Sequence, residues 1–194
     1  MARWDVLPRT FYDRHPVTVA QALLGKQLVR EHDDGMVTGI IVETEAYLAA
    51  HDPASHAYSK RRHGYRQTPR CAPMFGPPGH AYVYRSYGLH ACVNIVTQGE
   101  GIPSAVLLRA VQPEVGLDVM RRRRGTGRRA ALATGPGNLC RAFAIYLGLN
   151  RWDLTRGQHL WVAMPASSAA LQIVRPRRIG VADDLELRFS VVAP

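Results

Sequence analysis

Met36-Val37-Thr38-Gly39-Ile40-Ile41-Val42-Glu43-Thr44-Glu45-Ala46-Tyr47-Leu48 is the stretch on which the fold turns. Its side chains alternate, and a period of two marks a strand with two distinct faces. Read that way, Ile41, Glu43, Glu45 and Tyr47 share one face, and Val42, Thr44, Ala46 and Leu48 the other. Asp33-Asp34-Gly35 just before it is a turn signal, and Lys26 to Arg30 reads as extended. Upstream, Val17 to Leu24 has helical spacing, with Val17, Ala20, Leu23 and Leu24 on one side and Gly25 at the capping position. Downstream, Ala81 to Tyr84 and His90 to Thr97 are strand-like, and the segment between them places Tyr87 near a hairpin tip. Val106 to Val111, Ile179 to Val181 and Leu185 to Val192 are further strands. Helices are expected at Glu114–Arg124, with Val115 and Val119 inward, and at Leu139–Leu147, with Leu139, Phe143 and Leu147 inward. The pattern predicts one α+β domain over residues 1–194. Its core is a curved antiparallel β-sheet with surrounding helices and a protruding β-hairpin.

The decisive strand carries two carboxylates, Glu43 and Glu45, in an otherwise apolar run. A buried carboxylate is costly without partners, so two on one face require an explanation. One is a solvated strand face with ordinary surface residues. The other is a partly buried glutamate serving as general base for a water molecule. The pattern leaves both open.

Charge narrows the partner. The 194 residues carry a formal net charge of +10, and of the 25 basic residues only Lys26 and Lys60 are lysines. Guanidinium groups fit phosphate oxygens, which points to nucleic acid. Lys60-Arg61-Arg62-His63 and Arg121 to Arg124 are candidate phosphate contacts, and Thr134, Gly135 and Gly137 could present backbone N–H groups at a helix start. Tyr82, Tyr84 and Tyr87 offer stacking faces, and a side chain at a hairpin tip can wedge into a base stack. His51, His56 and His63 do not have metal-ligand spacing, and Cys71, Cys92 and Cys140 form no C-x-x-C pair, so no metal or other cofactor is expected. The N-terminus lacks the apolar stretch of a signal peptide, and no run is long enough to span a bilayer. A soluble, intracellular and cytoplasmic protein is expected.

At these same residues the chain resembles the alkyladenine (3-methyladenine) DNA glycosylases of the human type. Val42-Glu43-Thr44-Glu45-Ala46-Tyr47 matches V-E-T-E-A-Y, with His56 at the spacing of that family's next histidine. Arg66-Gln67-Thr68-Pro69-Arg70 and Met74-Phe75-Gly76 follow, then Tyr82-Val83-Tyr84, Tyr87-Gly88 and Cys92-Val93-Asn94. Leu107-Leu108-Arg109-Ala110, Thr134-Gly135-Pro136, Leu139-Cys140 and Arg178-Ile179-Gly180-Val181 extend the match nearly end to end. The resemblance implies a hydrolase of double-stranded DNA containing damaged purines. Lys26 and Lys60 lie outside the core motifs, so a monofunctional enzyme without a lyase step is expected, and a monomer is the simplest expectation for an enzyme that tracks duplex DNA. Glu45 would deprotonate water that Arg109 helps to hold. Tyr47, His56 and Tyr84 would contact the flipped base, Tyr87 would fill the gap in the duplex, and Asn94 would exclude normal guanine.

The chain departs from that family at Cys71, where an asparagine is usual, so loss of a local polar contact is expected. The segment near Ile102-Pro103-Ser104 and the loop Ser59 to Tyr65 also read as longer. Two other functions fit parts of the pattern: a non-catalytic nucleic-acid binder using the tyrosine wedge, and a glycoside hydrolase using Glu43 and Glu45 as its acid and base. The binder needs no Glu45, and a neutral sugar polymer needs neither the basic surface nor the wedge.

Overall fold

The computed structural model describes residues 4–62, 64–167, 170–181 and 185–192. A one-turn helix α1 (Arg9–Tyr12) precedes α2 (Pro16–Leu23). Proline at the first position of α2 suits a site with no intrahelical use for its missing N–H. Gly25, at φ +78°, reverses the chain after it. Strands β1 (Gln27–His32) and β2 (Gly35–Tyr47) form the hairpin that the alternation predicted. A small two-stranded pair, β3 (Tyr58–Ser59) and β4 (Gly64–Tyr65), interrupts the long loop that follows. Of the Lys60–His63 cluster, His63 lies outside the described residues.

Strands β5 (Ala81–Ser86), β6 (His90–Thr97) and β7 (Ser104–Val115) then return three times across the molecule. Helices α3 (Leu117–Arg124) and α4 (Pro136–Ala142) come next, followed by the short strands β8 (Leu160–Ala163), β9 (Ile173–Val174) and β10 (Arg188–Val191). Eight strands make one sheet in the order β5-β6-β7-β2-β1-β8, with β10 pairing β2 and β9 pairing β10; the pairs are antiparallel. The architecture is the mixed α+β type expected.

The two faces of the sheet have different occupants. Leu23, Ile41, Ala46, Val83, Ile95, Leu108, Leu139, Phe143 and Phe189 belong to the main core on the helical face. The Thr44 hydroxyl donates to the Ala20 carbonyl at 2.9 Å, tying β2 to α2. On the opposite face a smaller cluster of Ala57, Cys71, Met74, Tyr82, Val96 and Ala105, with Tyr84 against it, supports a cleft.

Ile41 was expected beside Glu43 and Glu45, but it lies in the main core. The register explains why. Ile41 pairs with Val111, Glu43 with Ala110 and Thr44 with Leu108, so Val42 on β2 and Arg109 on β7 fall outside the pairing. These are compensating bulges, one per strand, and a bulge re-aims the side chains on one side of it. Glu43, Glu45 and Tyr47 consequently face the cleft, while Ile41, Thr44 and Ala46 face the helices.

Four other expectations are corrected. Strand β7 continues to Val115, which is exposed, and α3 begins only after Gly116; its φ is +76° and a Cβ there would lie 2.4 Å from the Met36 carbonyl oxygen. Met120, not Val115, is the buried residue of that helix. Helix α4 ends at Ala142, because the chain turns at Ala144 (φ +46°), and Leu147 is left exposed. Ile179 to Val181 is a turn rather than a strand. The Cys71 thiol accepts from the Thr68 N–H at 3.2 Å and donates to the Arg66 carbonyl at 3.4 Å.

Candidate active site

The register of the sheet carries a row of side chains across four strands. Glu45 on β2 pairs with Leu107 on β7, Leu107 with Asn94 on β6, and Asn94 with Tyr82 on β5. Strand residues two apart share a face, so Tyr47 and Tyr84 extend this row. The long loop closes the other wall with His56, Arg70 and Met74, and the cleft so formed has a volume of about 650 Å³.

Glu45 lies beneath the cleft floor and its side chain is fully buried. Three donors reach it: the Tyr47 hydroxyl (3.0 Å) and Arg109 Nη1 (3.1 Å) to Oε2, and the Ile179 N–H (3.0 Å) to Oε1. Those three residues all line the cleft. A carboxylate offers about four lone-pair sites, so these three donors leave one unused.

Glu43 has a different task. Its Oε1 accepts from Arg109 Nε at 2.8 Å and from Arg188 Nε at 2.7 Å. Both glutamates hold the same guanidinium, which is an orienting arrangement and not an acid–base pair across a sugar. Burial opposes the charge on Arg109, but the two carboxylates more than offset it and raise its pKa.

A fully buried ion pair stands behind the floor. Arg178 grips both oxygens of Asp52 at 2.9 and 2.8 Å, donates to the Ala46 carbonyl at 3.1 Å, and lies 4.9 Å from the centroid of the Tyr47 ring. Asp52 also accepts from the N–H groups of Leu48 and Ala54. Asp52 and Arg178 therefore fix the Tyr47 ring and the turn that aims the Ile179 N–H at Glu45. Sequence reasoning assigned neither a role; the only signal was that Arg178 falls in a stretch matched by the resemblance.

The aromatic wall is also closely specified. Tyr82 and Tyr84 stack with centroids 5.3 Å apart, and His56 meets Tyr84 edge-on at 4.5 Å. Burial raises the phenol pKa of Tyr47 and Tyr84 and pushes that of Tyr82 up to about 12, so all three keep their protons near neutrality. Burial, with the Arg70 charge beside it, pushes His56 down to about 4, so the ring is neutral. Arg70 Nη2 can only donate, so His56 Nε2 accepts (3.3 Å) and Nδ1–H donates to the Tyr82 hydroxyl (2.8 Å). Asn94 is buried, with Nδ2 donating to the Tyr82 carbonyl at 3.2 Å.

Tyr87 stands at the tip of the β5–β6 hairpin, 93% exposed. It and Gly88 have φ of +49° and +71°, and the Leu89 N–H bonds the Ser86 carbonyl at 3.0 Å, as in a hairpin turn with two left-handed residues. A tyrosine in that conformation is uncommon, and there it holds an aromatic ring out at the cleft mouth. Of the segment from Thr134 to Gly137, Pro136 lines the cleft, while Thr134, Gly135 and Gly137 do not. Gly135, at φ +87°, opens α4; a Cβ on Gly137 would lie 3.0 Å from His90 Cβ; and the Thr134 hydroxyl donates to the Ala130 carbonyl at 2.6 Å.

Among the described residues no His, Cys, Asp or Glu group could hold a metal ion, and no helix is long and apolar enough to cross a membrane. The cysteines are free and buried.

A family model described as methylpurine-DNA glycosylase (MPG) matches residues 10–193. A protein of Methanoculleus marisnigri named "Putative 3-methyladenine DNA glycosylase" is 50% identical over 188 residues, covering 94% of this chain and 93% of its own. Proteins of the same name from Carboxydothermus hydrogenoformans and Agrobacterium fabrum are 45% and 44% identical, covering 95% of this chain in both cases and 94% and 88% of their own. These relatives are microbial. Taken with the sheet and its cleft, the likeness defines a DNA glycosylase, a hydrolase of base excision repair. The chain belongs to the methylpurine-DNA glycosylase family.

Proposed function

We propose that this chain flips an alkylated or deaminated purine out of duplex DNA and hydrolyses its N-glycosidic bond, with Glu45 activating the water and an abasic site as product. A purine must leave the stack before its C1′–N9 bond can be reached, and damaged pairs cost less to open. The observation that carries this reading is the setting of Glu45: buried below an aromatic cleft, held by three donors, with one acceptor site left.

Water attacks C1′ as the C1′–N9 bond breaks. Glu45 takes a water proton, the remaining hydroxyl stays on C1′, and the bond's electrons leave with the base. Arg109 holds the water and keeps the carboxylate oriented. An alkylated purine already carries a positive charge and departs neutral, whereas a neutral lesion needs a proton or hydrogen bonds at the leaving ring. Tyr47, Tyr84 and His56 enclose the base, Asn94 crowds the 2-amino group of guanine, and Tyr87 fills the vacated stack. Thr134, Gly135 and Gly137 present backbone to a phosphate. Lys26 and Lys60 do not line the cleft, which supports a monofunctional enzyme with no lyase step. A monomer acting in the intracellular compartment completes the reading.

Glu45→Gln keeps the side-chain shape and removes the base. Release of free purine from a lesion-bearing duplex should fall at least about 100-fold while the duplex still binds. Thermal melting of the variant establishes that it folds. A folded variant excising at the wild-type rate refutes the mechanism.

A further inference from the structure

Three arginines line the cleft, Arg70, Arg85 and Arg109, and of the two at its walls and floor Arg70 differs from Arg109. Arg109 is flanked by Glu43 and Glu45, so its charge is balanced in place. Arg70 forms no ion pair among the described residues. Its guanidinium lies 5.3 Å from the centroid of the Tyr84 ring, and Nη2 donates to His56 Nε2 at 3.3 Å. Arg70, itself exposed to solvent, thus places a positive charge with no carboxylate partner among the described residues beside one of the rings that would enclose a flipped base.

Two consequences follow for the ligand. Cations are drawn to tyrosine faces, but here a guanidinium already occupies that position, and a second cation nearby is repelled. A guanidinium also has donors only. A purine edge bearing a carbonyl at position 6 can accept from it, whereas a 6-amino group presents N–H against N–H. The neutral His56 ring turns its acceptor nitrogen to Arg70, which holds the guanidinium at the wall without neutralising it.

We propose that Arg70 determines specificity, biasing the pocket toward neutral 6-oxopurines of the hypoxanthine class over cationic alkylated purines. The inference rests on the glycosylase reading above. Guanine is also a 6-oxopurine, and the 2-amino group that separates it from hypoxanthine is the group assigned to exclusion by Asn94.

The test compares wild type, Arg70→Ala and Arg70→Lys. Single-turnover release is measured for hypoxanthine from a defined duplex and for 3-methyladenine from methylated duplex DNA. Affinity is measured for a duplex with a tetrahydrofuran abasic analogue, which has no base. In Arg70→Ala the ratio of hypoxanthine to 3-methyladenine release should fall about 10- to 100-fold, the range for losing a charged hydrogen bond. Arg70→Lys should restore part of the ratio, and affinity for the base-free analogue should change far less than the ratio does. An unchanged ratio, or an equal loss on both lesions and the analogue as for a phosphate contact, overturns the inference and leaves the glycosylase reading standing. A wild-type protein that releases neither base overturns both.

Discussion

Arg178 shows how much of this site depends on groups that never meet the cleft contents. Its pair with Asp52 is completely buried, and removing one partner of such a pair strands the other charge at a cost of about 3–5 kcal/mol. Arg178→Met should therefore lower the midpoint of thermal unfolding by about 6–20 °C, at about 2–4 °C per kcal/mol for a chain of this size. Adding Asp52→Asn removes the stranded charge and should recover part of the loss; a double variant less stable than Arg178→Met alone would show that the ion pair is not the cause. Base release should stay low in both variants, because the Tyr47 ring and the Ile179 N–H lose their fixing. At this scale the sequence was partly legible. Glu45 stood out as a charge in an apolar strand, and Tyr87 as an aromatic at a turn. Asp52 and Arg178 lie 126 residues apart in segments without periodicity, and nothing local joins them. Arg70 was noted only as the end of a matched stretch, with no role, since a cation over a ring is a property of the folded wall.

Among elements, β2 was the most readable and also the most misleading. Its alternation identified the strand and the face shared by Glu43, Glu45 and Tyr47, but assigned Ile41 to that face. The bulges that separate them occur at Val42 and Arg109, neither a glycine, so composition gives no warning of them. The β5–β6 hairpin was legible because turn residues punctuate two apolar runs, whereas β8 and β9 are too short for alternation to show. Gly39 tests how closely β2 must approach β7. A Cβ there would lie 2.5 Å from the Gln112 carbonyl oxygen and 2.5 Å from Val111 Cγ1, and backbone cannot move aside as a flexible side chain can. Gly39→Ala should destabilise the fold by about 1–3 kcal/mol in urea unfolding, the usual cost of overpacking. It should also reduce base release, because the same two strands hold Glu45 and Arg109. Unchanged stability would mean that the strands separate freely, contrary to the close register between them.

For the whole molecule, a net charge of +10 predicts attraction to DNA, but charge is not the same as contact. Several arginines of the basic run are engaged internally. Arg123 pairs with Asp34 and donates to the Ala142 carbonyl, Arg124 donates to the Leu132 carbonyl, Arg129 to that of Pro113, and Arg141 to that of Arg123. Guanidinium groups of this kind hold loops to the sheet and α3 to α4, so only part of the formal charge is free for phosphates. Arg85 is exposed on the hairpin and lines the cleft beside Tyr87, where a duplex over the site would run. Each phosphate neutralised releases counterions and contributes about 0.9 to the slope of log affinity against log salt. Arg85→Gln should accordingly flatten that slope by about one, equally for damaged and undamaged duplex. Arg123→Gln should leave the slope as it is and lower the urea midpoint instead, since its loss removes a clamp. Measuring both variants from 50 to 200 mM salt separates the two kinds of arginine. Equal slopes in the two variants would mean that the DNA-facing surface lies elsewhere than over the tyrosine hairpin.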